Sequence, residues 1–228
     1  MKLTILGAGC WGATLAWLLT DNFEKVCVWS REEDLTEDLV KNKHCSKPLE
    51  IQLQQRVEVT SDLKSAITDA DIILSVIASA GTRSVCERLK ESGIKPEQIL
   101  VNASKGLELP SLMTMSDVIK DVLPEQKLVI LSGPTLAKEV LRGCPTAACV
   151  ASTDMEAAKF VQKHLNVPSK FRLYTNSDVI GVELGGSLKN VIAIASGFAH
   201  EMQLGDNCAG TLLTRGMAEI VRVSINLG

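Results

Sequence analysis

Short apolar runs alternate along most of the chain with segments that carry apolar residues at helical spacing. The runs predict strands at 3–6, 26–29, 72–76, 99–103, 128–131 and 147–151, and shorter ones at 57–60 and 171–174. The segments between them predict helices at 11–19, 82–91, 112–122 and 155–164. This repeated strand-then-helix order predicts an α/β fold, a doubly wound and mostly parallel sheet with helices on both faces.

The pattern changes after Tyr174. Asn176, Ser177 or Asp178 can cap a helix that runs to about Phe198, and a second helical pattern covers 211–221. No strand pattern follows. We therefore predict two domains, a sheet domain at 1–175 and a helical segment at 176–228.

Residues 3–20 carry no charge and look like a signal peptide or a short membrane span. Gly7, Gly9 and Gly12 would each cost such a helix about 1 kcal/mol relative to alanine. No small-residue cleavage site precedes Asp21. We predict instead a buried strand, a glycine turn and a helix, and no membrane span.

The glycine turn, GAGCWG at 7–12, has the context of a dinucleotide fingerprint between a strand and a helix. Gly7 would make the tight turn, Gly9 would let the pyrophosphate approach the backbone, and Gly12 would allow close packing of helix on strand. The helix N-terminus would face the phosphates. The alternative is a glycine-rich turn without a ligand. We predict a Rossmann-type cofactor site.

The second strand ends in Ser30 and Arg31, where NAD-specific sites usually place an acid on the ribose hydroxyls. Ser30 cannot supply that anion, whereas the Arg31 cation can pair with a 2′-phosphate. This favours NADP, or the use of both cofactors. The alternative is a solvated arginine that Glu32 and Glu33 partly neutralise.

Two further strand ends carry polar or glycine-rich sequence, SKGLE at 104–108 and SGPT at 132–135. The carboxyl ends of strands line the ligand crevice of a doubly wound sheet. Lys105 then lies where a phosphate or carboxylate would bind, unless it is a loop lysine in water. Thr135 is either the N-cap of a helix or part of a helix start that binds an anion.

Lys189 is the only charged residue between 184 and 199. At about 100° per residue, its helix face holds only small side chains, namely Gly185, Gly186, Ala193 and Ser196. Two adjacent glycines cost a helix about 2 kcal/mol, which is understandable if something approaches the backbone closely. A desolvated lysine beside a cationic nicotinamide would have a lowered pKa and could act as a general base. The alternative is a surface lysine beside tight helix packing.

Composition excludes other classes of function. The chain has 24 Lys and Arg against 27 Asp and Glu, and this net charge of −3 gives no reason to expect a surface for nucleic acid or anionic membranes. Seven cysteines at 10, 27, 45, 86, 144, 149 and 208 form no CxxC pair and no zinc-type spacing. They predict reduced thiols, no metal site and a cytoplasmic protein.

Six motifs in order resemble the NAD(P)-dependent glycerol-3-phosphate dehydrogenase family, in its bacterial and plastid-like form. They are GAGCWGATLA, VWSR, SKGLE, LSGPTLAKEV, GVELGGSLKNVIAIASG and LLTRGMAEIVR. The resemblance implies a Rossmann domain followed by a helical domain like that of 6-phosphogluconate dehydrogenase. It also implies reversible reduction of dihydroxyacetone phosphate to sn-glycerol 3-phosphate, a glycerophospholipid precursor, with NADP or NAD as cofactor.

The resemblance also implies roles for individual residues. Lys189, with Asn190 beside it, would accept the proton of the C2 hydroxyl and return it in the reverse direction. Lys105 would contact substrate and cofactor. The remaining assignments are Gly133 and Thr135 to the substrate, and Gly7, Gly9, Cys10, Trp11, Gly12, Arg31 and Ala137 to the cofactor. The partner is a small-molecule substrate, with a homodimer allowed.

The chain departs from the family in three places. Ile77-Ala78-Ser79 replaces a proline after the fourth strand, and 44–55 lacks a tyrosine-leucine-proline pattern. The family continues after RGMAEIVR with a glycine-aspartate-leucine segment and an arginine-asparagine pair that hold the substrate, which nothing after Val223 supplies. We therefore expect a whole cofactor site and a partial substrate site.

Two rival functions stay open. One is another hydroxyacid dehydrogenase of the 6-phosphogluconate type, although SKGLE and LSGPT favour the three-carbon phosphate substrate. The other is a non-catalytic dinucleotide-binding or regulatory module. Binding of NADPH without turnover of dihydroxyacetone phosphate would indicate the second.

Overall fold

The computed structural model describes residues 1–31, 34, 36–46 and 49–227. Its strands are β1 (Lys2–Leu6), β2 (Lys25–Trp29), β3 (His44–Cys45), β4 (Ile51–Gln52), β5 (Glu58–Thr60), β6 (Ile72–Ser75), β7 (Ile99–Asn102), β8 (Lys127–Ser132), β9 (Thr146–Ala151) and β10 (Phe171–Asn176). Its helices are α1 (Cys10–Leu19), α2 (Glu37–Lys41), α3 (Leu63–Ile67), α4 (Thr82–Glu91), α5 (Met115–Val122), α6 (Ala137–Leu141), α7 (Met155–Leu165), α8 (Val179–Glu201) and α9 (Gly205–Leu227). Every predicted strand is present.

Eight strands form one sheet in the order β10-β9-β8-β7-β6-β1-β2-β5. Neighbours run parallel, except that β8 and β9 are antiparallel. The chain passes from β1 outward to β2 and β5, and then returns to β6 on the other side of β1. Doubly wound sheets bind ligands beyond the carboxyl ends of the strands at such a reversal. The predicted fold class is confirmed.

Helices cover both faces of this sheet, because alternate side chains of a strand point to opposite faces. On one face Leu3 and Ile5 of β1 share a buried cluster with Leu15 of α1 and with apolar residues of α7. On the other face Ile73 and Leu100 share a second cluster with apolar residues of α3, α4 and α5. The buried sheet therefore holds the strand ends, and the loops that follow them, in fixed positions.

The turn between β1 and α1 needs its glycines for separate reasons. Gly7 has a φ of +111°, which other residues rarely adopt. A Cβ on Gly12 would lie 1.9 Å from the carbonyl oxygen of Gly7, so α1 can pack this closely only without a side chain there. A Cβ on Gly9 would meet no atom within 4 Å. Residues 3–20 are thus strand, turn and helix, as predicted.

The helices α8 and α9 form an antiparallel pair, which we call the helical hairpin. Asp178 caps α8 by accepting a hydrogen bond from the Gly181 N–H at 2.8 Å, so one of the three predicted caps is confirmed. Gly216 of α9 packs against α8, since a Cβ there would lie 2.5 Å from Cδ1 of Ile192. Both helices extend beyond the predicted ends.

The last strand ends at Asn176 and α8 begins at Val179. The division into 1–175 and 176–228 stays a prediction. Among the described residues, α8 is the one helix long and apolar enough, by length and composition alone, to span a membrane, with a mean hydropathy of 1.3. It carries Glu183 and Lys189 within its length.

Sequence patterns missed the short elements α2, α3, α6, β3 and β4. Each has two to five residues, too few to show a period. The helix predicted at 112–122 starts at Met115, because the side chain of Thr114 caps it by accepting from the Asp117 N–H.

Alanine substitutions in the glycine turn test its packing. We expect Gly12→Ala to lower the free energy of unfolding by roughly 1–3 kcal/mol, because its methyl group overlaps a backbone carbonyl. Gly9→Ala is the matched control and should change it by less than about 0.5 kcal/mol. Urea unfolding of the cofactor-free protein measures both. Equal effects would contradict the packing role of Gly12.

Candidate active site

The predicted site residues come from five places along the carboxyl edge of the sheet. They lie in the turn after β1, at the end of β2, in the loops after β7 and β8, and on α8. The reversal of strand order beside β1 explains why segments distant in sequence converge there.

Lys105, in the loop after β7, reaches across to the loop after β8. Its Nζ donates hydrogen bonds to the carbonyl oxygen of Gly133 at 2.9 Å and to Oγ1 of Thr135 at 3.1 Å. Burial lowers the pKa of the Lys105 amine, and the nearby charge of Lys189 lowers it further. An anion bound near the two lysines would offset the repulsion between their charges.

Gly133 needs to be glycine for two reasons. Its φ is +157°, and a Cβ would lie 2.9 Å from Cα of Ala148 on β9. The antiparallel pairing of β8 with β9 brings that backbone close to the turn. The turn therefore presents the Gly133 carbonyl to Lys105 without a side chain in the way.

Thr135 is not the N-cap of the next helix. The five-residue helix α6 begins at Ala137, and its N-cap is Leu136, which offers no capping side chain. The hydroxyl of Thr135 instead accepts from Lys105. The local sequence alone could not separate these uses, because the partner lies 30 residues away. Ala137 is partly buried at the start of α6.

Lys189 lies on α8, and its Nζ donates to Oδ1 of Asn190 at 2.9 Å. The two adjacent glycines before it differ. A Cβ on Gly186 would lie 2.1 Å from Oγ of Ser132, the last residue of β8, and 3.8 Å from Cγ of Lys105. A Cβ on Gly185 would meet no atom within 4 Å. The predicted close approach therefore occurs at Gly186 alone.

The N-terminus of α1 has the features of an anion site. Its N-cap, Gly9, makes no side-chain hydrogen bond, and its first turn holds no acid. Cys10 and Trp11 follow, and burial raises the pKa of the Cys10 thiol. The Trp11 ring packs edge-on to Phe171 with 6.2 Å between the ring centroids.

Arg31 lies at the end of β2, and its Nε donates to Oδ2 of Asp34 at 2.8 Å. Ser30 beside it is buried. Asp34 is therefore an acid that neutralises Arg31. Glu32 and Glu33, expected in that role, lie outside the described residues.

Two residues of this region escaped the sequence analysis. The Ser187 hydroxyl accepts a hydrogen bond from the backbone N–H of Gly106, next to Lys105. Glu183, one turn before it, is buried and binds Ser116 at the start of α5. The sequence signal that could have indicated them is an acid four residues before a serine in an apolar helix, since residues at this spacing lie on the same helix face.

The described residues include no group of three or more His, Cys, Asp and Glu that could hold a metal ion. All seven cysteines are free thiols.

Comparisons with known proteins identify the family of the chain. The family model for the N-terminus of NAD-dependent glycerol-3-phosphate dehydrogenase matches residues 2–158, and the model for its C-terminus matches residues 178–228. The glycerol-3-phosphate dehydrogenase (NAD(P)+) of Thermoanaerobacter sp. (strain X514) is 42% identical over 228 residues, which are 100% of this chain and 68% of the relative. That of Synechococcus sp. (strain JA-3-3Ab) is 43% identical over 227 residues, 100% of this chain and 64% of the relative.

A solved structure is also similar in fold. The crystal structure of glycerol-3-phosphate dehydrogenase from Coxiella burnetii superposes with a TM-score of 0.89 at 33% identity, over 100% of this chain and 69% of that one. The chain thus spans about two thirds of the length of these relatives. The matches at both ends of the chain and the identity over its whole length show that it belongs to the NAD-dependent glycerol-3-phosphate dehydrogenase family.

Proposed function

We propose that the chain transfers hydride reversibly between NAD(P)H and dihydroxyacetone phosphate, giving sn-glycerol 3-phosphate. The observation that carries the proposal is the pair of lysines, Lys105 and Lys189, at the edge of the sheet that also holds the glycine turn. Lys105 binds the Gly133 carbonyl after β8, and α8, which carries Lys189, packs through Gly186 on Ser132 at the end of β8. A phosphorylated substrate supplies the negative charge that such a pair attracts. The relatives named above carry this activity in their names.

The glycine turn fits a dinucleotide. The open space beside Gly9 leaves room for a pyrophosphate against the backbone, and the first N–H groups of α1 have no capping side chain. When bound, the nicotinamide supplies or accepts the hydride. Gly7, Gly9, Cys10, Trp11 and Gly12 would hold the dinucleotide, with Lys105 contacting it from the loop after β7 and Ala137 from the start of α6.

Lys189 would move the proton of the reaction. In the reductive direction its ammonium donates to the C2 oxygen, and in the oxidative direction its neutral amine accepts the proton of the C2 hydroxyl. The Asn190 amide oxygen, as a partner of Nζ, orients the amine. Lys105, with Gly133 and Thr135, would hold the substrate so that the C2 oxygen meets Lys189.

Arg31 would favour NADP. A 2′-phosphate can replace the carboxylate of Asp34 as its partner, and a phosphate accepts two hydrogen bonds from a guanidinium. No acid stands at position 30 to hold free ribose hydroxyls. We place the protein in the cytoplasm, since seven free cysteines suit a reducing compartment.

We also propose that a second copy of the chain packs on the helical hairpin. Each helix exposes an apolar stripe with side chains 49–66% exposed, namely Val191, Ile194 and Phe198 on α8 with Met202 directly after it, and Leu213, Met217 and Val221 on α9. Soluble monomers rarely expose apolar patches above a few hundred Å², and a stable interface buries about 800 Å² on each partner. Both stripes lie on 23-residue helices that pack against each other, so a second copy can contact them together.

Sedimentation velocity tests the dimer. We expect twice the mass of the 24.6 kDa chain. Phe198→Glu and Met217→Glu, one on each helix, should show which stripe forms the contact, because only a charge inside the interface gives a monomer. A wild-type monomer, or binding of the hairpin to lipid vesicles in place of self-association, would contradict the proposal.

The stability of the site should depend on pH through Lys105. Its pKa is lowered in the folded state, so the charged amine destabilises the fold below that pKa, and the penalty disappears as the pH rises to the ordinary value of 10.5. The free energy of unfolding of the wild type, minus that of Lys105→Met, should therefore increase between pH 7 and 10. Urea unfolding measures it. A constant difference would contradict the desolvation of Lys105.

Two variants separate the chemistry from cofactor binding. Lys189→Ala should abolish reduction of dihydroxyacetone phosphate and leave the Kd of NADPH nearly unchanged, because this lysine acts on the substrate.

Arg31→Ala should weaken the binding of NADPH by roughly tenfold, the value of one charge-assisted contact, and the binding of NADH by much less. Stopped-flow fluorescence measures the binding of NADPH and NADH to each variant, and steady-state assays measure the rate of reduction.

Each outcome bears on a different assignment. Loss of NADPH binding in Lys189→Ala, with turnover preserved, would contradict its role in proton transfer. Equal weakening of both cofactors in Arg31→Ala would remove the 2′-phosphate argument. If the wild type binds NADPH but never turns over dihydroxyacetone phosphate, the chain is a dinucleotide-binding module and the proposed function is wrong.

A further inference from the structure

Glu183 is a buried carboxylate to which neither the family resemblance nor the proposed mechanism gives a task. It lies on α8 with 7% of its surface exposed. One carboxylate oxygen accepts from the backbone N–H of Ser116 at 2.9 Å, and the other accepts from the Ser116 hydroxyl at 2.5 Å. Ser116 is the second residue of α5, where N–H groups have no partner within the helix. Glu183 therefore joins α8 to the start of a sheet-domain helix.

Burying the Glu183 carboxylate in this contact costs free energy, because the charged group loses its hydration. Burial raises the pKa of the Glu183 carboxyl, and the charge of nearby Asp117 raises it further, while the hydrogen bonds from Ser116 act in the opposite direction. An apolar residue would avoid this cost at a position needed only for packing. The carboxylate adds hydrogen bonds to the N-terminus of α5, which an apolar side chain cannot make.

A second contact lies one turn further along the same face of α8. The Ser187 hydroxyl donates to the carbonyl oxygen of Glu183 at 2.9 Å and accepts from the N–H of Gly106 at 2.9 Å. Gly106 follows Lys105 directly, and Lys189 comes two residues after Ser187. The first turns of α8 thus bind both α5 and the loop that carries Lys105.

We propose that Glu183 is a positioning residue, which holds α8 on α5 and thereby, with Ser187, sets the separation of the Lys105 and Lys189 amines. The part of this proposal that concerns turnover rests on the proposed function. Glu183 touches neither amine in the structure, so its effect on them passes through the backbone of α8.

The test compares Glu183→Ala with Glu183→Gln and with a control at the opposite end of the sheet. We expect Glu183→Ala to lower kcat/KM for dihydroxyacetone phosphate by roughly 10- to 100-fold, the effect of a misplaced reacting group, and to change the Kd of NADPH by less than about twofold. Glu183→Gln should recover most of the loss, because an amide can accept from the Ser116 N–H and donate to its hydroxyl.

Gln98→Ala is the matched control. Gln98 is also buried, and its amide donates to the carbonyl oxygens of Ile67 and Ala70, both at 2.8 Å, before β7 begins. Its loss removes these two buried hydrogen bonds, and the one that its Oε1 accepts from the Lys95 N–H, far from the carboxyl edge. We expect a lower Tm with kcat/KM unchanged.

A second measurement does not depend on turnover. The pH profile of amine labelling at Lys105, followed by mass spectrometry, reports its lowered pKa, to which Lys189 contributes. Glu183→Ala should move the profile toward that of an ordinary lysine, and Gln98→Ala should not. If the wild type fails to reduce dihydroxyacetone phosphate, the proposed function is wrong, and the labelling profile still decides the positioning role.

The proposal is overturned if Glu183→Ala lowers Tm as Gln98→Ala does but leaves kcat/KM and the labelling profile unchanged. It is also overturned if substrate and NADPH weaken equally. If Glu183→Ala does not fold, Ser116→Ala decides, because it removes one of the two hydrogen bonds and keeps the backbone donor. An unchanged labelling profile in that variant overturns the proposal.

Discussion

The close contact between α8 and the end of β8 is the constraint on which the candidate site depends. Gly186 allows it, because any side chain there would overlap the hydroxyl of Ser132. The contact brings the helix that carries Lys189 against the strand whose following turn binds Lys105. Without it the sheet would still form, since its core lies between β-strands and the other helices, but α8 would no longer hold Lys189 near the loop that carries Lys105.

Electrostatics gives this arrangement its chemical character. Burial lowers the pKa of Lys105, and repulsion between its charge and that of Lys189 lowers it further. An anion between them would reverse the sign of the interaction. The cofactor end differs, because there the backbone N–H groups at the start of α1 supply positive potential without a side-chain charge. In the proposed site, the N–H groups at the start of α1 would attract the cofactor phosphates, and the charges of Lys105 and Lys189 would lie near the reacting atoms of the substrate.

The sequence could predict much of the fold, because the apolar residues of its longer strands and helices follow a regular pattern. The strands of a buried parallel sheet are continuous apolar runs, and the eight strands of the sheet were all predicted. Elements of two to five residues, such as α6 and β3, carry no period and were missed. The same limit applies to the site. Motif context placed Gly7, Gly12 and Lys105 at the carboxyl edge, where the structure has them. It could not decide whether Thr135 is an N-cap, because the partner of its hydroxyl comes from another loop.

The hydrogen-bond partners of the two amines limit which ligands they can bind together. An ammonium group has three protons. Lys105 gives two of its protons to Gly133 and Thr135, whereas Lys189 gives one to Asn190. Three N–H groups therefore remain for a ligand, one from the first amine and two from the second. A molecule with several acceptor oxygens on neighbouring atoms can use all three, whereas a lone carbonyl has only two lone pairs to offer.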